Sequence, residues 1–232
     1  MNTNKKYNLA ILIINLFLVA STFVLVINGL CKGAGQGQLG ENMYGAGYLK
    51  AFTTLSNIYC GIASFVVLVF AVNNCFEKSF LLPRWAVVFH YTSAAATGLT
   101  FITVLVFLAP MQVAMGNSYF RFFSGDMFFF HFLNPVLAAV SSVLLERKHK
   151  LGIREQLLAL IPTFVYSWLY FFMVVVAKNW SDFYGFTFGG RYYMIPVSFI
   201  AMYGFTWIIS LLYRNRHNAL ARRFSAASLL KE

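Results

Sequence analysis

The stretch DMFFFHFLNPVLAAVSSVLLE, residues Asp126–Glu146, is an apolar segment long enough to cross a bilayer as a helix. Its first half carries a histidine, an asparagine and a proline, at positions His131, Asn134 and Pro135. Polar and ionisable side chains inside a membrane are costly, and they mark functional sites or interhelical hydrogen bonds. This segment therefore predicts a membrane-spanning helix and makes His131 a candidate functional residue.

The composition of the whole chain indicates the same environment. Hydrophobic residues make up 59% of the 232 residues and charged residues only 11%, which is too little polar surface to cover a water-soluble globule. Apolar segments of about 20 residues, the length that spans a bilayer, recur six times. We predict an all-α polytopic membrane protein in which residues 1–232 form a single six-transmembrane-helix bundle. The predicted spans are residues 9–27, 51–72, 85–108, 126–146, 156–177 and 194–213.

The distribution of positive charge predicts the orientation of the bundle. The formal net charge is +11, but Lys and Arg lie between the apolar segments and in the tail, which is typical of topogenic charge and not of a nucleic-acid-binding surface. Counted on alternate sides of the six spans, 13 of these residues lie on one side and 5 on the other. The positive-inside rule then places both termini in the cytoplasm. Residues 214–232 are predicted to form a basic cytoplasmic tail along the lipid headgroups.

Three local patterns lead to further expectations. The glycine-rich residues 28–50 are typical of a mobile surface loop. The small residues 93–98 predict that the third span is central, because they let helices approach closely, and Pro110 is expected to end that span. His217 lies in the basic tail and is expected to be solvated.

Polar residues from two spans are predicted to meet in one layer. If both termini are cytoplasmic, the second and fourth spans both begin on the outer side. Thr53, Thr54 and Asn57 then lie at the same depth as His131 and Asn134. Residues three or four positions apart share a helix face, so each set projects from one side of its helix.

This residue set favours nucleophilic chemistry. A hydroxyl is a weak nucleophile until a base takes its proton, and histidine is suited to that role near neutral pH. Burial favours the neutral imidazole of His131, and the amides of Asn57 and Asn134 are candidates for stabilising an oxyanion. Asp126 and Asp182, near the same boundary, are candidates for orienting the imidazole. The spacing leaves open whether Thr53 or Thr54 is the nucleophile.

Two motifs in this layer resemble a known family. AFTTLSN at residues 51–57 and FFFHFLNPVLA at residues 128–138, together with the six spans, resemble the androgen-induced membrane hydrolase family, most closely its prokaryotic integral-membrane branch. The resemblance implies a threonine hydrolase that cleaves fatty acid esters of hydroxy fatty acids, in the plasma membrane of a prokaryote. It assigns the nucleophile to Thr53 or Thr54 and the base to His131. Arg121 or Arg191 would then meet a substrate carboxylate.

Each feature also has a structural reading. Helical threonines often bond their own backbone, and buried asparagine and histidine side chains often brace neighbouring helices. A facilitator or transporter, or a non-catalytic membrane protein with the same polar cavity, is therefore the alternative to a hydrolase. The seven acidic residues all lie in loops or at helix ends, which disfavours a proton-coupled transporter. The expected partners are a lipid or fatty acyl ester and membrane lipids, with no nucleic acid, no cofactor and no metal site.

Overall fold

The computed structural model describes residues 3–32, 44–73, 82–145 and 149–229, and six of its helices are long and apolar enough to cross a membrane. No strand occurs in these four ranges, so the prediction of an all-α six-helix bundle is confirmed. All six spans begin within three residues of the predicted positions. We number the spans α1 to α6 in chain order: Asn8–Cys31, Phe52–Val72, Arg84–Ala114, Asp126–Val143, Ile153–Val176 and Tyr192–Arg222.

The helical backbone changes type along several spans. The α-helical segments are Thr3–Cys31, Phe52–Asn73, Arg84–Thr103, Ala109–Ala114, Asp126–Phe128, Asn134–Ala139, Ile153–Leu158, Ile161–Phe171 and Ile195–Leu229. The wider π-helical segments are Val104–Leu108, Phe129–Leu133, Val140–Leu145 and Phe172–Val176. Short 3₁₀ turns cover Gly45–Lys50, Tyr119–Phe123 and Tyr192–Met194.

Two prolines explain two of the π-helical segments. Pro110 is the second residue after the segment Val104–Leu108, and Pro135 is the second residue after Phe129–Leu133. A proline inside a helix lacks the backbone N–H and its ring clashes with the carbonyl four residues earlier, and the wider turn gives that ring room. The prediction that Pro110 ends the third span is therefore wrong, since α3 continues to Ala114.

The third span lies at the centre of the bundle, as its small residues predict. It packs against α2, α4 and α6, and the side chains of Ala94, Ala95 and Ala96 are fully buried. At Gly98, an added β-carbon would lie only 3.0 Å from a methyl group of Ile209 in α6. Only small residues allow the two backbones to approach so closely.

The described part of the first loop is ordered against the bundle. Gly45–Lys50 forms a 3₁₀ turn, and Tyr48 is buried with its ring against Gly29 of α1, where an added β-carbon would lie 2.5 Å from the ring. Tyr48 also packs against Phe130 of α4, with ring centroids 6.2 Å apart. The expectation of a mobile surface loop is therefore wrong for residues 44–50, and residues 33–43 lie outside the described ranges.

The last helix corrects the prediction for the tail. It runs without interruption from Ile195 to Leu229, beyond the predicted end at residue 213. His217 is fully buried, with Nδ1 3.0 Å from the carbonyl oxygen of Ser142 and Nε2 2.7 Å from that of His149. The expectation that His217 is solvated is wrong, because the continuous helix places this side chain against the backbone of Ser142 and His149. The cytoplasmic location of both termini stays a prediction from the charge count.

Candidate functional site

A cavity of about 310 Å³ lies at the end of the bundle where α2 and α4 begin. This is the end that the charge count predicts to be the outer one. Four of the predicted site residues line it, together with two residues that the sequence did not single out. The six are Lys32, Thr53, Thr54, Asp126, His131 and Tyr184.

His131 is held in one tautomer by the backbone. Its Nδ1 atom lies 2.7 Å from the carbonyl oxygen of Phe122. A carbonyl oxygen only accepts hydrogen bonds, so Nδ1 donates, and Nε2 of the neutral ring carries the lone pair. His131 is 3% exposed, and within the described part of the chain Nε2 has no hydrogen-bond partner. The imidazole is therefore arranged to accept a proton through Nε2.

The position of His131 follows from the local backbone. It lies in the π-helical segment Phe129–Leu133, four residues before Pro135. Such wide turns are frequent at functional sites because they change the direction of side chains relative to a regular helix. The His131 ring packs edge-on against Phe122, with centroids 5.6 Å apart. The connector before α4 thus supplies both the packing surface and the hydrogen-bond acceptor for His131.

Thr53 and Thr54 occupy the first turn of α2. Both are buried, with 8% and 2% of their surface exposed, and both line the cavity. The first N–H groups of a helix have no acceptor within that helix. Here the N–H of Phe52 donates to the Tyr184 hydroxyl over 2.9 Å, and that of Leu55 donates to the carbonyl of Ala51 over 3.1 Å.

By helical spacing, the two threonines share a face of α2 with residues that contact different neighbours. Thr54 lies four residues before Ile58, which packs against the cluster of Tyr48 and Phe130 next to α1. Thr53 lies three residues before Ser56, whose hydroxyl is 3.0 Å from that of Thr100 in α3.

Thr53 has a second set of apolar neighbours besides the cavity. It also lines a narrow void of about 20 Å³ beside Leu108 and Tyr184. Both of these residues belong to the same apolar cluster as Phe122, the residue that packs against the His131 ring. Thr53 therefore borders both the cavity that His131 lines and this cluster.

Tyr184 is the main site residue that sequence reasoning missed. Its ring lies in an aromatic cluster with Tyr166 and Tyr170, and its hydroxyl caps the start of α2 through the N–H of Phe52. Burial raises the pKa of Tyr184, so the hydroxyl stays protonated at neutral pH, although interactions with Phe52 and Thr53 act in the opposite direction. The aromatic connector before α6 was the available signal, but its sequence alone does not show that it folds back onto α2.

Asp126 and Lys32 form an ion pair at the mouth of the cavity. Lys32 Nζ lies 2.9 Å from Asp126 Oδ2, and the amide of Asn28 also donates to this oxygen over 3.4 Å. The hydrogen bond that Lys32 donates to Asp126 is the main cause that raises the pKa of Lys32. Asp126 thus lines the cavity, but the backbone of Phe122, and not this carboxylate, orients His131. A role for Asp126 in binding a substrate stays a prediction.

The other predicted aspartate has a structural task in the connector after α5. Asp182 accepts hydrogen bonds from the hydroxyl of Tyr170 over 2.9 Å and from the backbone N–H groups of Phe186 and Thr187 over 2.8 and 2.7 Å. These contacts fold the segment that brings Tyr184 to the cavity.

Asn57 and Asn134 lie beneath the cavity and connect three helices. The amide of Asn134 donates to Asn57 Oδ1 over 3.0 Å and to Thr22 over 3.4 Å, while its oxygen accepts from Ser21 over 2.9 Å. The amide of Asn57 donates to the carbonyls of Thr53 and Phe130 over 2.8 and 3.2 Å. Both N–H groups of each amide are thus occupied within the protein. The geometry therefore offers neither residue as an oxyanion donor.

The remaining predicted residues lie away from the cavity. Arg191 is exposed in the connector before α6, and Arg121 is exposed before α4; neither lines the cavity. The structure does not bring these two arginines to His131. Among the described residues, no three His, Cys, Asp or Glu side chains come together in a group able to hold a metal ion.

No protein-family model matches the chain, and neither a curated protein nor a solved structure is significantly similar to it. The features that indicate a function are therefore the chemistry of the cavity and the short motifs at residues 51–57 and 128–138.

Proposed function

We propose that the chain is an intramembrane hydrolase that cleaves a lipid ester, with Thr53 as the nucleophile and His131 as the general base. The observation that carries the proposal is the hydrogen bond from His131 Nδ1 to the carbonyl of Phe122, which leaves Nε2 as a proton acceptor in the cavity that Thr53 lines. A base with an orienting partner beside a buried hydroxyl is the arrangement that activates serine and threonine nucleophiles.

The reaction would proceed in two steps. Nε2 of His131 takes the proton from the Thr53 hydroxyl, whose oxygen attacks the ester carbonyl, and the imidazolium then protonates the leaving alcohol. Water, activated by the same nitrogen, hydrolyses the acyl-threonine and releases the fatty acid. This scheme needs no metal or cofactor.

Two groups support the tetrahedral intermediate in this scheme. The Tyr184 hydroxyl, kept protonated by burial, is a donor at the same wall as Thr53. The N–H of Thr54 lies in the first turn of α2 and has no backbone acceptor among the described residues. Donors at a helix N-terminus stabilise developing negative charge.

The position of the cavity supports a lipid substrate over a soluble one. Its inner wall is apolar and includes Leu108, Phe122 and Tyr48, whereas Lys32 and Asp126 lie at its mouth. An amphipathic ester would place its acyl chain against the apolar wall and its polar end near the ion pair.

Labelling with a fluorophosphonate probe tests this proposal. Wild-type protein, purified in detergent, is compared with Thr53→Ala, His131→Ala and Thr54→Ala. We expect labelling of the wild type and of Thr54→Ala, which is the matched control on the same helix turn, and loss of labelling in the other two. In hydrolysis of a fatty acyl ester, His131→Ala should lower kcat by about 10²- to 10⁴-fold, the usual contribution of a general base.

Two outcomes would contradict the proposal. Labelling that is absent from the wild type, or unaffected by all three substitutions, would favour the facilitator or the non-catalytic protein. Loss of labelling in Thr54→Ala but not in Thr53→Ala would transfer the nucleophile to Thr54.

A further inference from the structure

A second and larger depression lies outside the site described above. It is a groove of about 1360 Å³ between α2, α3 and α5, and none of the described residues that line it also lines the cavity that holds His131. Apolar side chains dominate its walls, among them Leu55 and Tyr59 of α2, Val88 of α3, and Leu158 and Val165 of α5.

The groove has the length and exposure of a site for an acyl chain. Along α5 it extends from Arg154 to Leu169, which is about 22 Å of helix at 1.5 Å per residue. One leaflet of the hydrocarbon core is about 15 Å thick. Trp85, Val165 and Leu169 at its sides are 58%, 59% and 42% exposed, so the groove opens sideways to the lipid. Hydrocarbon, and not water, fills such a space in a bilayer.

One end of the groove carries charge arranged for an anion. Arg84 and Arg154 both line this end, where α3 and α5 begin. Glu155, the one acid among the described residues of the lining, is already neutralised: its Oε1 lies 2.7 Å from Arg84 Nη2, and its Oε2 accepts the N–H of Gly152 over 2.7 Å.

The ion pair leaves most of the Arg84 donors available. The side chain of Glu155 is 7% exposed and that of Arg84 is 60% exposed. A guanidinium has five N–H donors in a planar fork, and among the described residues Glu155 is the only side chain that Arg84 contacts through this fork. Arg154 is exposed and has no hydrogen-bond partner in the described ranges. The charge count predicts that this end is cytoplasmic, and basic pockets between membrane helices on that side bind anionic lipid headgroups.

We propose that this groove is a binding site for one anionic phospholipid, with an acyl chain between α2, α3 and α5 and the phosphate at Arg84 and Arg154. The site is separate from the proposed hydrolase cavity and does not depend on that activity.

Native mass spectrometry of the purified protein, with phosphatidylglycerol or phosphatidylcholine added at equal concentration, tests this proposal. Wild-type protein should retain one phosphatidylglycerol in preference to phosphatidylcholine. Arg154→Gln should reduce this preference about fivefold, the effect of one arginine near an anionic headgroup. Arg191→Gln, which removes an exposed arginine distant from the groove, is the matched control and should leave the preference unchanged.

A second variant tests the chain-binding part of the groove. Val165 is exposed, so Val165→Trp should fold normally while filling the groove, and it should reduce retention of both phospholipids. Equal retention of the two phospholipids by the wild type would overturn the proposal, and so would an unchanged preference in Arg154→Gln. Undiminished retention in Val165→Trp would show that the lipid lies elsewhere.

Discussion

Replacement of Asn134 by leucine separates a helix-bracing role from a role in binding. Leucine has nearly the same shape but removes the 3.0 Å bond to Asn57, the 2.9 Å bond from Ser21 and the longer 3.4 Å bond to Thr22. Interhelical hydrogen bonds in membrane proteins contribute about 0.6 kcal/mol on average and about 1.7 at most. Loss of the two shorter bonds alone therefore costs about 1–3 kcal/mol. Because Asn57 and Asn134 are fully buried, we expect a loss of about 2 kcal/mol.

Reversible unfolding by SDS in mixed micelles, followed through tryptophan fluorescence, measures this loss. Asn117→Leu is the matched control, since Asn117 is exposed in the connector after α3 and its side chain makes no described hydrogen bond. The double variant with Asn57→Leu should be less destabilised than the sum of the single variants by about 0.5 kcal/mol or more, because the two amides share a bond. Full stability of Asn134→Leu, with a loss of ester hydrolysis alone, would refute the bracing role and restore the asparagine as a substrate-binding residue.

Three further predictions concern other parts of the bundle. His217→Phe removes the imidazole whose ring nitrogens lie 3.0 and 2.7 Å from the carbonyl oxygens of Ser142 and His149, so at least one of these buried acceptors loses its N–H donor. This should lower the free energy of unfolding by about 2 kcal/mol in the same SDS titration. Gly98→Val forces α3 away from α6 and should lower the free energy of unfolding by about 1–3 kcal/mol. An unchanged midpoint of the SDS titration would contradict the close packing of the two helices. The pKa of Lys32 is raised in the folded protein, so its ion pair with Asp126 should stabilise the fold at neutral pH and lose that effect as the pH rises above 10.5. The melting temperatures at pH 9 and pH 11 should therefore differ more for the wild type than for Asp126→Asn.

The candidate site was only partly accessible from the sequence. Helical spacing predicts that Thr53, Thr54 and His131 lie close together, because the second and fourth spans start at the same side of the bundle. All three line one cavity in the structure. Tyr184 was missed because its connector folds through hydrogen bonds to Asp182 that no local pattern indicates.

Two other differences have the same origin in long-range contacts. The side-chain amide of Asn134 points toward α1 and α2 and not into the cavity, although it shares a helix face with His131. The helical face is a local property, whereas the neighbour on that face depends on how the helices are rotated against one another. The prediction that Pro110 ends the third span is wrong for a related reason. The π-helical turn before Pro110 gives its ring room beside the preceding backbone carbonyl, so the helix continues.

The sequence by itself determined the number of the spans, their starts to within three residues, and their helical form. In hydrocarbon every backbone N–H and C=O must be satisfied within its own helix, so a run of about 20 apolar residues has one stable form whatever surrounds it. The tertiary structure alone decided which polar groups meet: the carbonyl of Phe122 that fixes the tautomer of His131, the hydroxyl of Tyr184 beside Thr53, and the pairing of the two asparagines. These contacts depend on the rotation and depth of each helix. Rotation and depth are set by side-chain packing between distant segments, and the hydropathy of the sequence does not predict them.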